Sequence, residues 1–186
     1  QQKLIGVNST TESHFGSSVA VYGDYLVVGE IDIMSNGRAY VYFRVGEIWT
    51  LQQMLEDPIG EQFDLYGYSV AIDQDTIVIG SPNSLPSMGG FGFVFVYIRN
   101  GIVWDFQQKL NASDGGLYER SVSIHFNTIA VGAPRVLFNQ GKAYVFFRNS
   151  GIWSEEANIS ASDSTPNDSF GHSIDVYNDV SVSYTH

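Results

Sequence analysis

The side chains that could do chemistry come in sets, one member per stretch of about 50 residues. Asp24, Asp75, Asn127 and Asp179 stand at matching places. Arg44, Arg99 and Arg148 form a second set, and Trp49, Trp104 and Trp153 a third. Further acids, Asp57, Asp64, Asp114, Asp163 and Asp168, fall between the repeated stretches. Clustered carboxylates can hold a cation, or act as an acid and base pair on a glycosidic bond. Equivalence argues against catalysis here. A catalytic pair is needed once and breaks the symmetry of a repeat, whereas a residue found in each unit serves the unit. The bland role for such an Asp is to cap a turn through its own backbone. The repeated Arg could face anionic partners, but its recurrence favours capping strand ends or packing beside Trp.

The remaining reactive types are sparse. His14, His125, His172 and His186 lack metal-ligand spacing. No Gly-x-Ser-x-Gly elbow occurs, and Gly89-Gly90 and Gly115-Gly116 lead into no helix that could cradle a phosphate. There is no cysteine, which excludes disulfides and thiolate zinc sites. Asn8, Asn111, Asn158 and Asn167 each open an Asn-x-Ser/Thr triplet that fits N-glycosylation in a secreted eukaryotic protein. The chain carries 9 Lys and Arg against 20 Asp and Glu, a formal net charge of −11. That balance opposes nucleic acid and anionic lipid as partners. No apolar run reaches the length of a membrane span, and the first residues lack the apolar core of a signal peptide. The expectation is a protein with no catalytic residues, no bound metal and no cofactor.

The elements that position these residues are equally periodic. Val19–Gly29 recurs as Val70–Gly80 and Val122–Gly132, each preceded by Ser (Ser18, Ser69, Ser121), and a damaged copy follows Ser173. Each copy reads as a β-hairpin with a two-residue turn: Gly23-Asp24, Gln74-Asp75, Phe126-Asn127, Asn178-Asp179. A third strand is expected at Ala39–Arg44, Val94–Arg99 and Ala143–Arg148, starting after Gly37, Gly92 and Gly141. A tight turn at Gly46, Gly101 or Gly151 then leads to a fourth strand running Trp49–Leu55, Trp104–Leu110 and Trp153–Ile159. Four short antiparallel strands per unit, rich in aromatic and β-branched residues, predict an all-β propeller with almost no helix. One Trp per unit suits an anchor between blades.

Specific doublets sharpen this. Phe15-Gly16, Tyr66-Gly67 and Phe170-Gly171 open units, and Gly80-Ser81-Pro82 and Gly132-Ala133-Pro134 follow second strands. With these motifs the chain resembles the FG-GAP repeat of the N-terminal propeller of integrin α subunits and of many bacterial and protist surface proteins. Two places depart from the pattern: Tyr118-Glu119 at the third opening, and Gly29-Glu30 after the first hairpin. In integrin-type repeats the hairpin resembles an extended calcium loop. Here it is a two-residue turn, too short for the roughly 6–8 oxygen ligands of calcium, so calcium is not carried over.

The reading is one FG-GAP propeller region, residues 1–186, with units at about 5–55, 56–110 and 111–159 and a partial unit at 160–186. The start falls in a fourth strand and the end in a second strand, where Ser181, Ser183 and Tyr184 replace apolar residues and Gly. The sequence therefore predicts a partial ring of about three and a half blades, with a degenerate polar cap as the alternative reading of its end. Open blade edges would favour self-association. The resemblance implies an extracellular or cell-surface module for adhesion, presenting loops to a protein or glycan. The alternative is an accessory propeller of a larger extracellular hydrolase. The loops Glu30–Asn36, Ser81–Phe91 and Ala133–Gln140 vary on a constant scaffold, which makes them the candidate binding face, with Phe91 and Phe138 as its first contacts.

Overall fold

The computed structural model describes the chain except residues 8, 10–11, 33–35, 60–64, 83–91, 115–119, 179 and 185–186. The first sheet holds β1 (Ser13–Tyr22), β2 (Tyr25–Asp32), β3 (Arg38–Val45) and β4 (Ile48–Leu55), paired in that order. The second holds β5 (Ser69–Asp73), β6 (Thr76–Ser81), β7 (Phe93–Asn100) and β8 (Val103–Leu110). The third holds β9 (Ser121–His125), β10 (Thr128–Ala133), β11 (Lys142–Asn149) and β12 (Ile152–Ile159). A fourth, two-stranded sheet pairs β13 (Ser173–Tyr177) with β14 (Val180–Tyr184). All pairings within sheets are antiparallel. These are successive blades of a partial β-propeller. Their first strands β1, β5, β9 and β13 lie side by side in turn.

Strand lengths follow from proline. In the second and third blades Pro82 and Pro134 stop β6 at Ser81 and β10 at Ala133, because proline has no N–H for the ladder. The first blade has Gly29-Glu30-Ile31-Asp32 instead. There β2 runs on to Asp32, and β1 begins at Ser13, five residues before Ser18 of the repeated hairpin, with a bulge between Phe15 and Ser18. The first residue of each hairpin turn takes positive φ: Gly23 56°, Gln74 52°, Phe126 51° and Asn178 52°. Among the described residues the helical content is one turn, Val136–Asn139.

The blades bury their apolar faces against one another. Val27, Val41 and Leu55 of the first pack with Val70, Ile72, Ile77, Phe95 and Trp104 of the second. Val78, Val94 and Val96 pack with Val122, Ile124 and Trp153 of the third, and Ala130 and Ala143 with Ile174 and Val176 of the fourth. Val70 and Ile72 are each 8% exposed, whereas their counterparts Val19 and Val21 are 60% and 63% exposed, because no described sheet lies against β1 on that side.

Between third and fourth strands each four-stranded blade carries a bulge, at Val41/Tyr42, Val96/Tyr97 and Val145/Phe146. The extra residue is Gln52, Gln107 or Glu156, since Gln53 and Leu51, Gln108 and Phe106, and Ala157 and Glu155 face consecutive partners. In a regular strand, adjacent side chains point to opposite faces. A bulge re-aims one of them, so both glutamines of a pair reach the next blade. Gln53 Nε2 donates to Trp104 O (2.9 Å) and its Oε1 accepts from Trp104 N (2.8 Å), while Gln52 Oε1 accepts from the indole Nε1 (3.3 Å). Gln108 and Gln107 hold Trp153 in the same way, at 2.7, 3.0 and 3.0 Å. Gln2 makes both backbone bonds to Trp49 at 2.8 Å. The Trp of each blade is thus clamped by the glutamines before it.

Candidate functional site

At the hairpin end, the repeated acids and arginines engage each other. Arg44 donates to Asp24 Oδ1 through Nε (2.9 Å) and Nη2 (2.8 Å), Arg99 pairs with Asp75, and Arg148 Nε donates to Asn127 Oδ1 (2.9 Å). The Arg backbone N–H also bonds the turn carbonyl at 2.8 Å in all three blades. Arg44 and Arg148 stack on Trp49 and Trp153 at 5.3 and 5.1 Å, and Arg99 stacks on Tyr25 at 5.1 Å. These residues brace the blade, as their recurrence implied. No group of three or more metal-ligating side chains occurs among the described residues. Because each described hairpin turn has two residues, too few for the oxygen ligands of calcium, calcium is expected to leave the melting temperature unchanged at millimolar concentration, which a thermal melt with and without chelator checks.

The opposite end is built differently. There the first strands begin, the second strands end and the long loops depart. Ser18 Oγ donates to Gly67 O of the next blade (2.8 Å), and Ser121 Oγ to Gly171 O (3.2 Å). Gly67 and Gly171 take φ of +84° and +83°, and a Cβ on either would meet the carbonyl oxygen of Arg38 or Lys142 at 2.3 Å. The aromatic-Gly doublet therefore docks a blade's entry onto the third strand of the blade before it.

The residue after that doublet occupies one place in each blade with different chemistry: Ser17, Tyr68, Arg120 and His172. Ser17, Tyr68 and Arg120 line a cleft of about 430 Å³ with Ser18, Ile31, Ser69, Val70, Ser121 and Val122. The Arg120 guanidinium lies over the Tyr68 ring at 5.6 Å. The sequence singles out Ser18, Ser69 and Ser121 as repeat markers, but not Ser17, Tyr68 or Arg120. Comparing the residue after each doublet is the signal that finds them.

Around the cleft the loops are held by polar side chains that differ by blade. Glu30, 1% exposed, accepts from Ser9 Oγ and from Tyr40 Oη (3.3 Å), with Arg38 at 3.9 Å. Arg38 Nε also bonds Glu56 Oε1 at 3.0 Å. The Gly29-Glu30 departure thus buries a carboxylate where the other blades have Ser81 and Ala133. Burial is the main reason the Tyr97 hydroxyl is pushed up to about 12; it bonds Tyr66 Oη at 2.8 Å and Glu56 O at 3.2 Å. Burial, then its bond to Asp114 (2.9 Å), raises the Tyr144 hydroxyl as well, and Lys142 Nζ lies 2.5 Å from the same carboxylate.

Phe138 lies at this end, on the Val136–Asn139 turn, and is 87% exposed. Phe91 lies outside the described residues, as do Asn8, Asp64, Asp179 and His186. Asn111, Asn158 and Asn167 are exposed. Asn158 sits near the end of β12 with Nδ2 on Glu155 Oε1 (3.2 Å), and Asn167 Oδ1 accepts from Asn139 Nδ2 (3.1 Å). Asp168 caps its own loop, bonding Thr165 N and Oγ1 at 2.5 and 3.0 Å. His14 and His172 are exposed, and His125 Nδ1 accepts from Asn178 N (3.0 Å).

The sheet geometry and the doublet contacts agree with a match by sequence. A family model described as the FG-GAP repeat matches residues 1–42, 49–97, 104–146 and 153–182. The chain is an FG-GAP repeat protein. Each matched segment begins at or beside the Trp or the Gln-Gln pair and closes in the third strand or, in the last, in β14. The FG-GAP unit of the family is therefore offset from the blade and spans the clamp between neighbours. No curated protein matches the chain. No helix of this FG-GAP protein, among the described residues, is long and apolar enough to cross a membrane.

Proposed function

We propose that this FG-GAP protein is a non-catalytic adhesion module of a secreted or cell-surface protein, engaging a protein or glycan through the loop end of its blades. The observation that carries the reading is the turn at Leu137-Phe138-Asn139. These consecutive residues take φ of 52°, 58° and 63°, with Leu137 53% and Phe138 87% exposed. A left-handed L-residue costs about 1–2 kcal/mol, and such strain gathers at ligand contacts. Folding gains nothing from displaying two large apolar side chains. The turn is nevertheless stapled: Asn167 N, Ser169 N and Phe170 N donate to the carbonyls of Phe138, Asn139 and Gln140 at 3.3, 2.8 and 2.9 Å. A rigid exposed aromatic is a good anchor because it loses little entropy on binding. The absence of catalysis is supported by the repeated acids, which serve as partners of arginine and caps of loops.

The test is binding of the labelled chain to arrayed glycans and arrayed extracellular-matrix proteins. Phe138→Ala is expected to weaken whatever the native chain binds by roughly tenfold or more and to leave the melting temperature unchanged. A native chain that binds neither array, or a variant that binds as well as native, overturns the reading.

A further inference from the structure

We infer that the cleft between the first three blades is a receptor for a single carboxylate, an Asp or Glu side chain presented by a partner protein. This rests on the loop end being the ligand face, but on different residues from Phe138. The cleft holds a cation without a carboxylate: Arg120 has no acidic partner among the described residues, whereas Arg38, Arg44, Arg99 and Lys142 each have one. In a chain of net charge −11 a guanidinium at the mouth of a cleft is a local exception. Stacking on Tyr68 fixes its plane and leaves its edge to donate, the geometry that suits a bidentate carboxylate.

The second observation is Ser69. Its Oγ is buried and has no hydrogen-bond partner, and the residue, 8% exposed, lines the cleft. The other serine hydroxyls there are committed. Ser17 donates to Gly29 O (3.2 Å), Ser18 to Gly67 O and Ser121 to Gly171 O. Buried polar groups in native proteins are nearly always satisfied, so an orphan donor beside an Arg with no acidic partner among the described residues marks where an acceptor belongs. One Arg and one hydroxyl, inside an acidic chain, suit a monoanion better than a phosphate dianion. Among the described residues the one aromatic ring of the cleft, Tyr68, has Arg120 over its face, which leaves a sugar ring little to stack on.

The experiment is an NMR titration of the full chain with the capped tripeptides Ac-Gly-Asp-Gly-NH2 and Ac-Gly-Glu-Gly-NH2. Ac-Gly-Asn-Gly-NH2, glucuronate and inorganic phosphate serve as comparison probes. The acidic peptides are expected to shift the amides of Tyr68, Ser69, Arg120 and Ser121 with millimolar affinity, and the Asn peptide to shift none of them. Arg120→Lys, which loses the fork but keeps the charge, weakens binding by roughly tenfold. Ser69→Ala weakens it severalfold without loss of fold. Phe138→Ala leaves the titration unchanged, so failure here and failure of the adhesion reading are separately visible. The inference is overturned if the acidic peptides shift nothing at these residues, or if Arg120→Lys binds like native. It is equally overturned if glucuronate or phosphate binds as tightly as the peptides.

Discussion

Trp104→Ala is expected to destabilise the protein by about 3–5 kcal/mol, read as a lowered midpoint of urea unfolding. The indole is 1% exposed and meets the Tyr25 ring edge-on at 5.4 Å. It sits in the apolar cluster that joins the first two blades. Truncation leaves a cavity between sheets and strands the Gln52 carbonyl that took the indole N–H. Domains of this kind carry a net stability of about 5–15 kcal/mol, so one anchor accounts for a large share of it. Gln53→Glu separates the clamp from the packing. A carboxylate keeps the shape but cannot donate to Trp104 O and repels it, which is expected to cost about 1–3 kcal/mol. Trp49→Ala should cost less than Trp104→Ala, because Trp49 is only half-buried. A Trp104→Ala variant that melts like native would remove the Trp from its anchoring role.

The blade pattern was legible because each element leaves a local mark: turn residues between β-rich runs, a Trp, a Gly, and the same order again. The role of the Gln-Gln pair was not. Its meaning depends on a bulge that turns Gln52 and Gln53 to one side, and nothing in a two-residue string announces a bulge. The length of β1 is not legible in the sequence for a similar reason. Its partner strand lacks the proline that ends β6 and β10, and pairing partners are a tertiary fact. The cleft was hidden more deeply still. Ser17, Tyr68 and Arg120 are about 50 residues apart, and only the side-by-side packing of β1, β5 and β9 brings them together. The loop that carries Phe138 stands out because loop variation is visible in sequence, whereas the left-handed backbone beneath it is not.

Gly67→Ala and Gly16→Ala isolate what the doublet glycine does. Both glycines take nearly the same backbone, φ +84° and +87°, so a methyl group strains both by a similar amount, about 1–2 kcal/mol. At Gly16 the new Cβ meets nothing within 4 Å, whereas at Gly67 it runs into Arg38 O at 2.3 Å. Gly67→Ala is therefore expected to cost a further increment of about 1–3 kcal/mol from overpacking against backbone that cannot yield. Equal losses for the two variants in chemical unfolding would mean that docking between blades does not depend on this contact.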